Sequence, residues 1–396
     1  MKVLVVGLGI AGPTLAFWLR RAGHEVVLVE QAPAPRRGGH LVDFWGAGFD
    51  VAGRMGIVPE LRRRGHRFTE ARGVTSRGRR FASFTPSALL RSDDRYVSIA
   101  RSELAATIYE ALEGRVETVF GDTVAALADD GDRVHVTFAS GRRDEVDLVV
   151  GADGLHSAVR RLAFGPQQRF EDHLGIVVSA FEVRGYRPRN DLVAMMYAEV
   201  GFQLVRLSLP DDVTMFLITL RHEGELPGGD VHAQQGLLRD RLAGRGWETA
   251  AALEAMSSAD SFYIDRVSQI RMPAWSHGRI GLVGDAAACP SLLAGQGSAL
   301  AMVEAYTLAT ELARCDGDHG AAFERYETRL APFVRAKQDA ARGLGLAFAP
   351  RNRTQLVVRN ATMSLMGLPG VADRVMRRSF HDTVELPESA TSGSAL

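Results

Sequence analysis

The first candidate for chemistry is a single aspartate surrounded by very small residues. Asp285 follows the apolar segment RIGLVG and precedes three alanines, a proline and a Gly-Gln-Gly triplet within GLVGDAAACPSLLAGQGSALA (281–301). Small side chains leave the backbone accessible, and the amides at a helix start attract anions or polar rings. The stretch therefore predicts a loop that binds a large, flat ligand, with Asp285 as a hydrogen-bond acceptor.

The amino terminus carries a second ligand-binding pattern. GLGIAG (7–12) is a G-x-G-x-x-G between an apolar strand and a helical segment. Its glycines permit, in order, a tight turn, the approach of a pyrophosphate to the backbone, and close packing of helix on sheet. Glu30 ends the next strand at the spacing of a carboxylate that binds an adenosine ribose, which disfavours a 2′-phosphate. A further glycine cluster, Gly46-Ala47-Gly48 with Gly53, follows a poor parallel strand and is interpreted as a turn into a helix.

One dinucleotide site, for FAD or NAD, is thus predicted, and Asp285 favours FAD. An NAD dehydrogenase does not need a second strand-end carboxylate and glycine-rich helix start far along the chain. A flavin does, because its ribityl chain and ring extend beyond the pyrophosphate. We predict non-covalent FAD, with Asp285 on a ribityl hydroxyl and the amides of 295–297 at the pyrimidine end of the ring.

In combination, these motifs resemble the class A flavoprotein monooxygenases, the group of p-hydroxybenzoate hydroxylase and of the tetracycline-inactivating and natural-product monooxygenases. VVGADGLHSAVR (149–160) is similar to the family's Asp-Gly motif, and the stretch around Asp285 resembles its Gly-Asp motif. Arg101 occupies the position of an arginine that contacts the flavin in the family. With this resemblance, the predicted cofactor-binding residues are Gly7, Gly9, Ala11, Gly12, Glu30, Arg101, Asp153, Asp285, Pro290, Gly295, Gln296 and Gly297.

The resemblance also implies the reaction. In the family, NADPH or NADH reduces the flavin without a separate nucleotide domain, and a flavin 4a-hydroperoxide then hydroxylates, epoxidises or Baeyer-Villiger oxidises a small molecule. The single dinucleotide fingerprint agrees with this. Ala288 and Ser298 stand where many relatives carry a histidine and an asparagine, so the resemblance does not extend to phenol hydroxylation in particular.

The sequence predicts a class of substrate but no general acid or base. An apolar pocket predicted from the central strands suggests an aromatic or polycyclic metabolite; its lining would be Met195, Met196, Tyr197, Phe202 and Phe216. No general acid or base is assigned, because residues such as His40, His156 and Cys289 more often pack or face solvent.

Three other functions fit the same fold. Flavin-dependent halogenases need a suitably placed lysine and a Trp-x-Trp-x-Ile-Pro segment, whereas this chain has only Lys2 and Lys337 and no tryptophans paired in that way. A flavin-dependent reductase of isoprenoid double bonds and a non-catalytic FAD-binding protein stay open as alternatives.

Composition sets the remaining bounds. The chain has 396 residues, 46% hydrophobic content and a formal net charge of zero, which gives no general field for nucleic acid or anionic membranes. Two cysteines and scattered histidines argue against a disulfide framework or a metal site. No segment is long and apolar enough for a membrane span, and the start of the chain lacks a cleavage signal, so a cytoplasmic protein is expected.

The elements that must position these motifs alternate at first between strands and helices and then change character. The predicted fold class is α/β: a Rossmann-like FAD-binding domain interrupted by a mainly antiparallel substrate sheet, followed by a helical segment. The cofactor domain is predicted at 1–70, 97–170 and 265–320, and the substrate domain at 71–96 and 171–264. The helical segment is placed at 321–385 and a disordered tail at 386–396.

Overall fold

The computed structural model describes residues 1–35, 40–85, 95–368 and 384–388. Most of the predicted tail, 389–396, and part of the predicted helical segment, 369–383, lie outside the described residues. In chain order the strands are β1 (Lys2–Val6), β2 (Glu25–Glu30), β3 (Leu41–Trp45), β4 (Glu70–Val74), β5 (Arg80–Phe84), β6 (Tyr96–Ala100), β7 (Glu117–Phe120), β8 (Val124–Asp129), β9 (Val134–Phe138), β10 (Arg143–Val146), β11 (Leu148–Gly151), β12 (Glu171–Arg184), β13 (Val193–Glu199), β14 (Phe202–Ser208), β15 (Val213–Arg221), β16 (Ser261–Ile270), β17 (Ser276–His277) and β18 (Ile280–Leu282). The α-helices are α1 (Ala11–Arg21), α2 (Ala47–Met55), α3 (Val58–Arg64), α4 (Arg101–Glu110), α5 (Ala158–Ala163), α6 (Val231–Leu242), α7 (Thr249–Ala255), α8 (Asp285–Ala288), α9 (Gly297–Arg314), α10 (His319–Phe348) and α11 (Arg353–Leu365).

A six-stranded sheet of order β17-β18-β11-β1-β2-β7 carries the amino-terminal glycine motif. Its neighbours pair in parallel except β17, which runs antiparallel to β18. Continuous apolar runs are typical of parallel strands covered on both faces, and Val3, Leu4 and Val5 of β1 are buried. The predicted unit of strand, helix and strand is confirmed in β1, α1 and β2.

A seven-stranded sheet of order β16-β12-β15-β14-β13-β4-β5 forms the second layer. It is antiparallel except where β13 pairs with β4. The sequence predicts four antiparallel strands from 174 to 220, and the structure confirms four strands there as β12 to β15. β16 pairs with β12 as far as Ile270, beyond the predicted domain boundary at 264. The domain division therefore stays a prediction.

The sequence predicts a return to helix over residues 232–256, and the structure confirms helix there in two separate pieces, α6 and α7. The intervening GRGW segment contains Gly244, at φ +75°, and Trp247, at φ +54°. Two glycines also lower the helix propensity of this segment. The chain therefore turns here, and two short helices cover the sheet instead of one.

The second sheet has two faces with different neighbours, because successive side chains point to opposite sides. One face packs against α6 and α7 and includes Phe181, Phe202 and Phe216. On the other face, Ile176 packs with Leu293 of the segment that follows α8. This second face, called the motif-side face below, is the one turned towards the Gly-Asp motif.

Helix α10 joins the two sheets. Near its start, Phe323 packs on Gly281 of β18, where a Cβ atom would lie 2.5 Å from the phenyl Cε1. At its end, Phe348 packs on the motif-side face of the second sheet. Helix α11 follows and packs on β4 and on the edge strand β5. The predicted carboxyl-terminal helices are thus confirmed as far as the described residues extend.

Candidate cofactor site

The amino-terminal turn needs glycine at two positions for its own packing. Gly7 has φ +109°, and a Cβ there would lie 2.5 Å from the carbonyl oxygen of Ala152. A Cβ at Gly12 would lie 1.9 Å from the carbonyl oxygen of Gly7. At Gly9, by contrast, a Cβ would meet no atom within 4 Å. Gly9 therefore borders open space, where the sequence predicts the approach of a pyrophosphate.

Glu30 contributes to the same turn. Its buried carboxylate accepts hydrogen bonds from the backbone N–H of Leu8 at 2.8 Å and of Ala32 at 3.0 Å. The ribose contact of Glu30 stays a prediction.

Asp153 caps the short helix α5. Its carboxylate accepts hydrogen bonds from Ser157 Oγ at 2.5 Å and from the N–H groups of Ala158 and Val159 at 2.7 and 3.1 Å. Burial raises the pKa of Asp153, although these hydrogen bonds act in the opposite direction. The structure thus gives Asp153 a positioning role, and its contact with the flavin stays a prediction.

Arg160 connects the Asp-Gly motif to the Gly-Asp motif. Its fully buried guanidinium donates to the carbonyl oxygen of Leu155 at 2.5 Å, to Gln167 Oε1 at 3.1 Å and to the carbonyl oxygen of Ala286 at 3.0 Å. The sequence showed the arginine within its motif but no sign of this bridge. The bridge fixes the start of α8 relative to the turn at Asp153.

The first and third motifs meet through their smallest residues. Gly284, at φ +63°, turns the chain from β18 into α8. A Cβ added to Gly284 would lie 3.1 Å from the Cβ of Ala11 and 3.5 Å from that of Ala301. Ala11, predicted as a cofactor residue, therefore lies against the Gly-Asp turn, and a larger side chain at either position would separate the two motifs.

A buried glutamate behind this turn was not found from the sequence. Glu304 of α9 accepts a hydrogen bond from the N–H of Gly284 at 2.6 Å. The hydroxyl of Tyr326 donates to the Leu282 carbonyl oxygen at 3.2 Å and lies 3.4 Å from Glu304 Oε2. Burial raises the pKa of Glu304 well above its usual range. The one signal in the sequence that could have revealed it is the presence of a glutamate within an otherwise apolar helix.

Two buried glutamines hold the loop after α8. Gln269 Nε2 donates to the carbonyl oxygens of Pro290 and Gln338, at 3.1 and 2.6 Å. Gln338 Nε2 donates in turn to the carbonyl oxygens of Ile270 and Cys289, at 2.7 and 3.2 Å. The predicted cofactor residue Pro290 is therefore fixed from behind by β16 and α10, which sequence reasoning also missed.

The loop then presents its glycine-rich end beside Asp285. Gly295 has φ +65°, and Gly297 begins the 18-residue helix α9. A Cβ at Gly297 would lie 3.8 Å from Asp285 Oδ1. The buried Gln296 Nε2 has no hydrogen-bond partner among the described residues. A buried donor without a partner is rare in folded proteins, so this amide fits a loop that completes its hydrogen bonds with a ligand.

Arg101 and Asp285 lie in one region of the structure, because the charges of both act on Cys289. Arg101 is the first residue of α4, and its N–H donates to the carbonyl oxygen of His40 at 3.1 Å. Burial, assisted by the charge of Arg101, lowers the pKa of His40 to about 4. Burial and the charge of Asp285 raise the pKa of Cys289, while Arg101 acts to lower it. The ring of Tyr263 lies 5.6 Å from that of His40.

His156 lies apart from this group in an ion pair. Its Nε2 is 3.2 Å from Asp265 Oδ2, and this hydrogen bond raises its pKa. The imidazole side chain is 64% exposed. We therefore place His156 in a contact between the two sheets and assign it no acid-base role.

The predicted lining of the apolar pocket is wrong for four of its five residues. Tyr197, Phe202 and Phe216 are buried in the cluster under α6 and α7, and Met195 packs against that cluster. Only Met196 belongs to the motif-side face, since adjacent residues of a strand point to opposite faces. Its cross-strand partner is Val205. Val205 pairs with Leu217 on the next strand, and Leu217 pairs in turn with Ala180, so these residues form one row across the sheet.

The fold and the convergent motifs define a dinucleotide-binding flavoprotein. The family model described as the FAD binding domain matches residues 1–341, and the chain belongs to that family. A flavin-dependent monooxygenase from an unknown prokaryotic organism is 36% identical over 346 residues, which are 85% of this chain and 87% of that protein.

Solved structures of similar proteins share the fold of this chain. The tetracycline destructase Tet(51) has 31% identity and a TM-score of 0.82, covering 98% of this chain and 99% of its own. HpxO of Klebsiella pneumoniae, solved with FAD and uric acid, shares the fold at 22% identity and a TM-score of 0.79, covering 96% and 95%. The chain is therefore an FAD-dependent monooxygenase. In its described part, no helix is long and apolar enough to cross a membrane.

Proposed function

We propose that this monooxygenase uses NADPH or NADH and O2 to transfer one oxygen atom to an apolar aromatic or polycyclic small molecule. The observation that carries the proposal is the apolar motif-side face, on which Ala180, Met196, Val205 and Leu217 form one cross-strand row. The relative named a tetracycline destructase, which the chain matches along nearly its whole length, supports a polycyclic substrate.

The residues present fit FAD. Open space at Gly9 and the unpartnered amide of Gln296 lie at the two ends of the predicted binding path. Between them, Asp285 would accept a ribityl hydroxyl and Arg101 would donate to the cofactor. When bound, FAD supplies the redox chemistry and the activation of oxygen.

The protein's own contribution is orientation and the exclusion of water. The cross-strand row is apolar, so a substrate bound there replaces water beside the reacting centre, and water would release hydrogen peroxide instead of product. Since the pKa of His40 is about 4, its imidazole is neutral at physiological pH and accepts hydrogen bonds without a charge.

The test is product analysis with labelled oxygen. The holoenzyme, NADPH and ¹⁸O2 are incubated with a panel of aromatic and polycyclic metabolites, and products are analysed by mass spectrometry. The proposal expects faster NADPH oxidation with at least one compound and one ¹⁸O atom in its product. NADPH oxidation that no compound accelerates would favour a non-catalytic FAD-binding protein, and a halogenated or hydrogenated product would identify an alternative enzyme.

Two adjacent methionines provide a matched test of the substrate surface. Met196→Ala removes side-chain contact on the motif-side face, so the KM for an identified substrate should rise, by up to about 30-fold for roughly 2 kcal/mol of lost burial. Met195→Ala makes the same change on the opposite face and should leave KM unchanged. Equal effects of both substitutions would contradict the assignment of this face.

A further inference from the structure

A cavity of about 370 Å³ opens at one end of the second sheet. It lies near the loop after α8 but is separate from the candidate cofactor site. Its polar lining consists of Arg221, Arg342, Arg351, His173 and Glu223. The volume falls in the range of small-molecule sites. Three arginines against one glutamate make it a basic cavity on a chain whose net charge is zero.

Two of these arginines repel each other. Burial lowers the pKa of Arg221, the charge of Arg351 lowers it further, and the charge of Glu223 acts in the opposite direction. Arg342 forms a salt bridge with Asp172, whereas neither Arg221 nor Arg351 forms one with a carboxylate in the described part of the chain. Holding two guanidinium groups together costs free energy, and an anion bound between them would remove that cost.

The arginines are held by the fold. Arg221 Nε donates to the carbonyl oxygen of Ala349 at 2.8 Å, and the N–H of Gly201 donates to that of Pro350 at 2.7 Å. Thr219 Oγ donates to the carbonyl oxygen of Phe348 at 2.7 Å. The segment that ends in Arg351 is thus tied to the strand ends, so its backbone is positioned before any ligand binds.

One apolar layer separates the cavity from the loop after α8. A Cβ at Gly345, which lines the cavity, would lie 3.4 Å from Ile176 Cδ1 and 3.8 Å from Leu293 Cδ1. Leu293 lies two residues before Gly295 in the loop predicted to bind the flavin ring. Only this layer of side chains lies between the cavity and that loop, so phosphates bound in the cavity would be held close to the loop predicted to bind the flavin.

We propose that this basic cavity binds the phosphate groups of the pyridine dinucleotide that reduces the flavin. The inference rests on the proposed function, which requires that reductant. The one dinucleotide fingerprint in the sequence is predicted to hold FAD, so the phosphates of NADPH or NADH need another site. Arg221 and Arg351 offer the paired guanidinium groups that such phosphates bind.

The test compares three single substitutions in the holoenzyme. Arg351→Gln removes one cavity charge. Arg353→Gln removes the same charge two residues away on exposed α11, outside the cavity lining. Glu223→Gln removes the carboxylate in the cavity and should act in the opposite direction. Binding of NADP⁺ and of inorganic pyrophosphate is measured by calorimetry, and flavin reduction by NADPH is followed by anaerobic rapid mixing.

The expected result is a dissociation constant for NADP⁺ and for NADPH about tenfold higher in Arg351→Gln, unchanged in Arg353→Gln and lower in Glu223→Gln. The limiting rate of flavin reduction should not change, because the charge lies away from the reacting ring. Equal dinucleotide binding in Arg351→Gln and Arg353→Gln would overturn the proposal.

Two further outcomes are informative. One distinguishes a free phosphate from a dinucleotide as the ligand of the cavity, and the other distinguishes failure of the cavity proposal from failure of the proposed function. If Arg351 matters for pyrophosphate but not for NADP⁺ or NADPH, the cavity takes a free phosphate and the reductant assignment is overturned. If no nucleotide reduces the wild-type flavin, the proposed function fails. In that case, loss of NADP⁺ binding in Arg351→Gln would still support the site, and NADP⁺ binding independent of Arg351 would overturn it.

Discussion

Substituting Gly9 should separate cofactor binding from folding. Because a Cβ at Gly9 meets no protein atom within 4 Å and its φ lies outside the left-handed region, alanine fits the folded chain without strain. The free energy of unfolding of the apoprotein should change by less than about 1 kcal/mol. The methyl group instead projects into the space predicted for the pyrophosphate.

The size of the binding defect follows from that position. Loss of one hydrogen bond between a backbone N–H and a charged phosphate costs about 1.5–3 kcal/mol, so the dissociation constant for FAD should rise about 10- to 150-fold in Gly9→Ala. FAD titration of the apoprotein, followed by quenching of flavin fluorescence, measures this change. Thermal unfolding of the same apoprotein measures stability.

Gly12→Ala is the matched control. Its Cβ would lie 1.9 Å from the carbonyl oxygen of Gly7, so the helix must move and the apoprotein should lose about 1–3 kcal/mol of stability or more. The reasoning is refuted if Gly9→Ala binds FAD as tightly as the wild type, or if it destabilises the apoprotein as much as Gly12→Ala does.

Three further predictions concern the other motifs. Arg101→Ala should weaken FAD binding by about 1.5–3 kcal/mol, the scale of a charge-assisted hydrogen bond, and unchanged affinity in titration would make Arg101 a surface charge. Asp285→Ala should mainly lower FAD affinity, by about 1–3 kcal/mol, whereas Gly297→Val should release more hydrogen peroxide per NADPH at saturating FAD. If peroxide assays show full coupling in Gly297→Val and Asp285→Ala binds FAD normally, this loop lies away from the flavin. Because burial raises the pKa of Glu304, its ionisation destabilises the folded state as pH rises above the ordinary glutamate range, and Glu304→Gln cannot ionise. The thermal midpoint of Glu304→Gln relative to wild type should therefore increase as the pH rises above the ordinary glutamate range, and a constant difference over that rise would show that Glu304 does not titrate in this way.

Features that follow from local steric rules could be predicted from the sequence. Gly7 is expected at a tight turn and Gly12 at close packing of helix on sheet, and the added Cβ atoms at both positions collide with backbone. The strand and helix around them were predicted because a buried parallel strand reads as a continuous apolar run. The same local reasoning explains why the four strands β12 to β15 were predicted, whereas the pairing of β12 with β15 depends on the tertiary structure.

Features that depend on distant contacts could not be predicted. Arg160 contacts the carbonyl of Ala286, and Gln269 contacts that of Gln338, across long separations in sequence that no local pattern marks. The pocket error has a related cause. Alternation shows that Tyr197 and Met195 share a face, but only the tertiary structure shows that α6 and α7 cover it.

The central claim is that three distant motifs together form one non-covalent FAD site. The most direct measurement is the flavin content of the purified protein, from its absorbance spectrum before and after denaturation. We expect one FAD per chain, all of it released into solution on denaturation. A colourless protein that takes up no FAD on titration, or flavin that stays attached to the denatured chain, would contradict the claim.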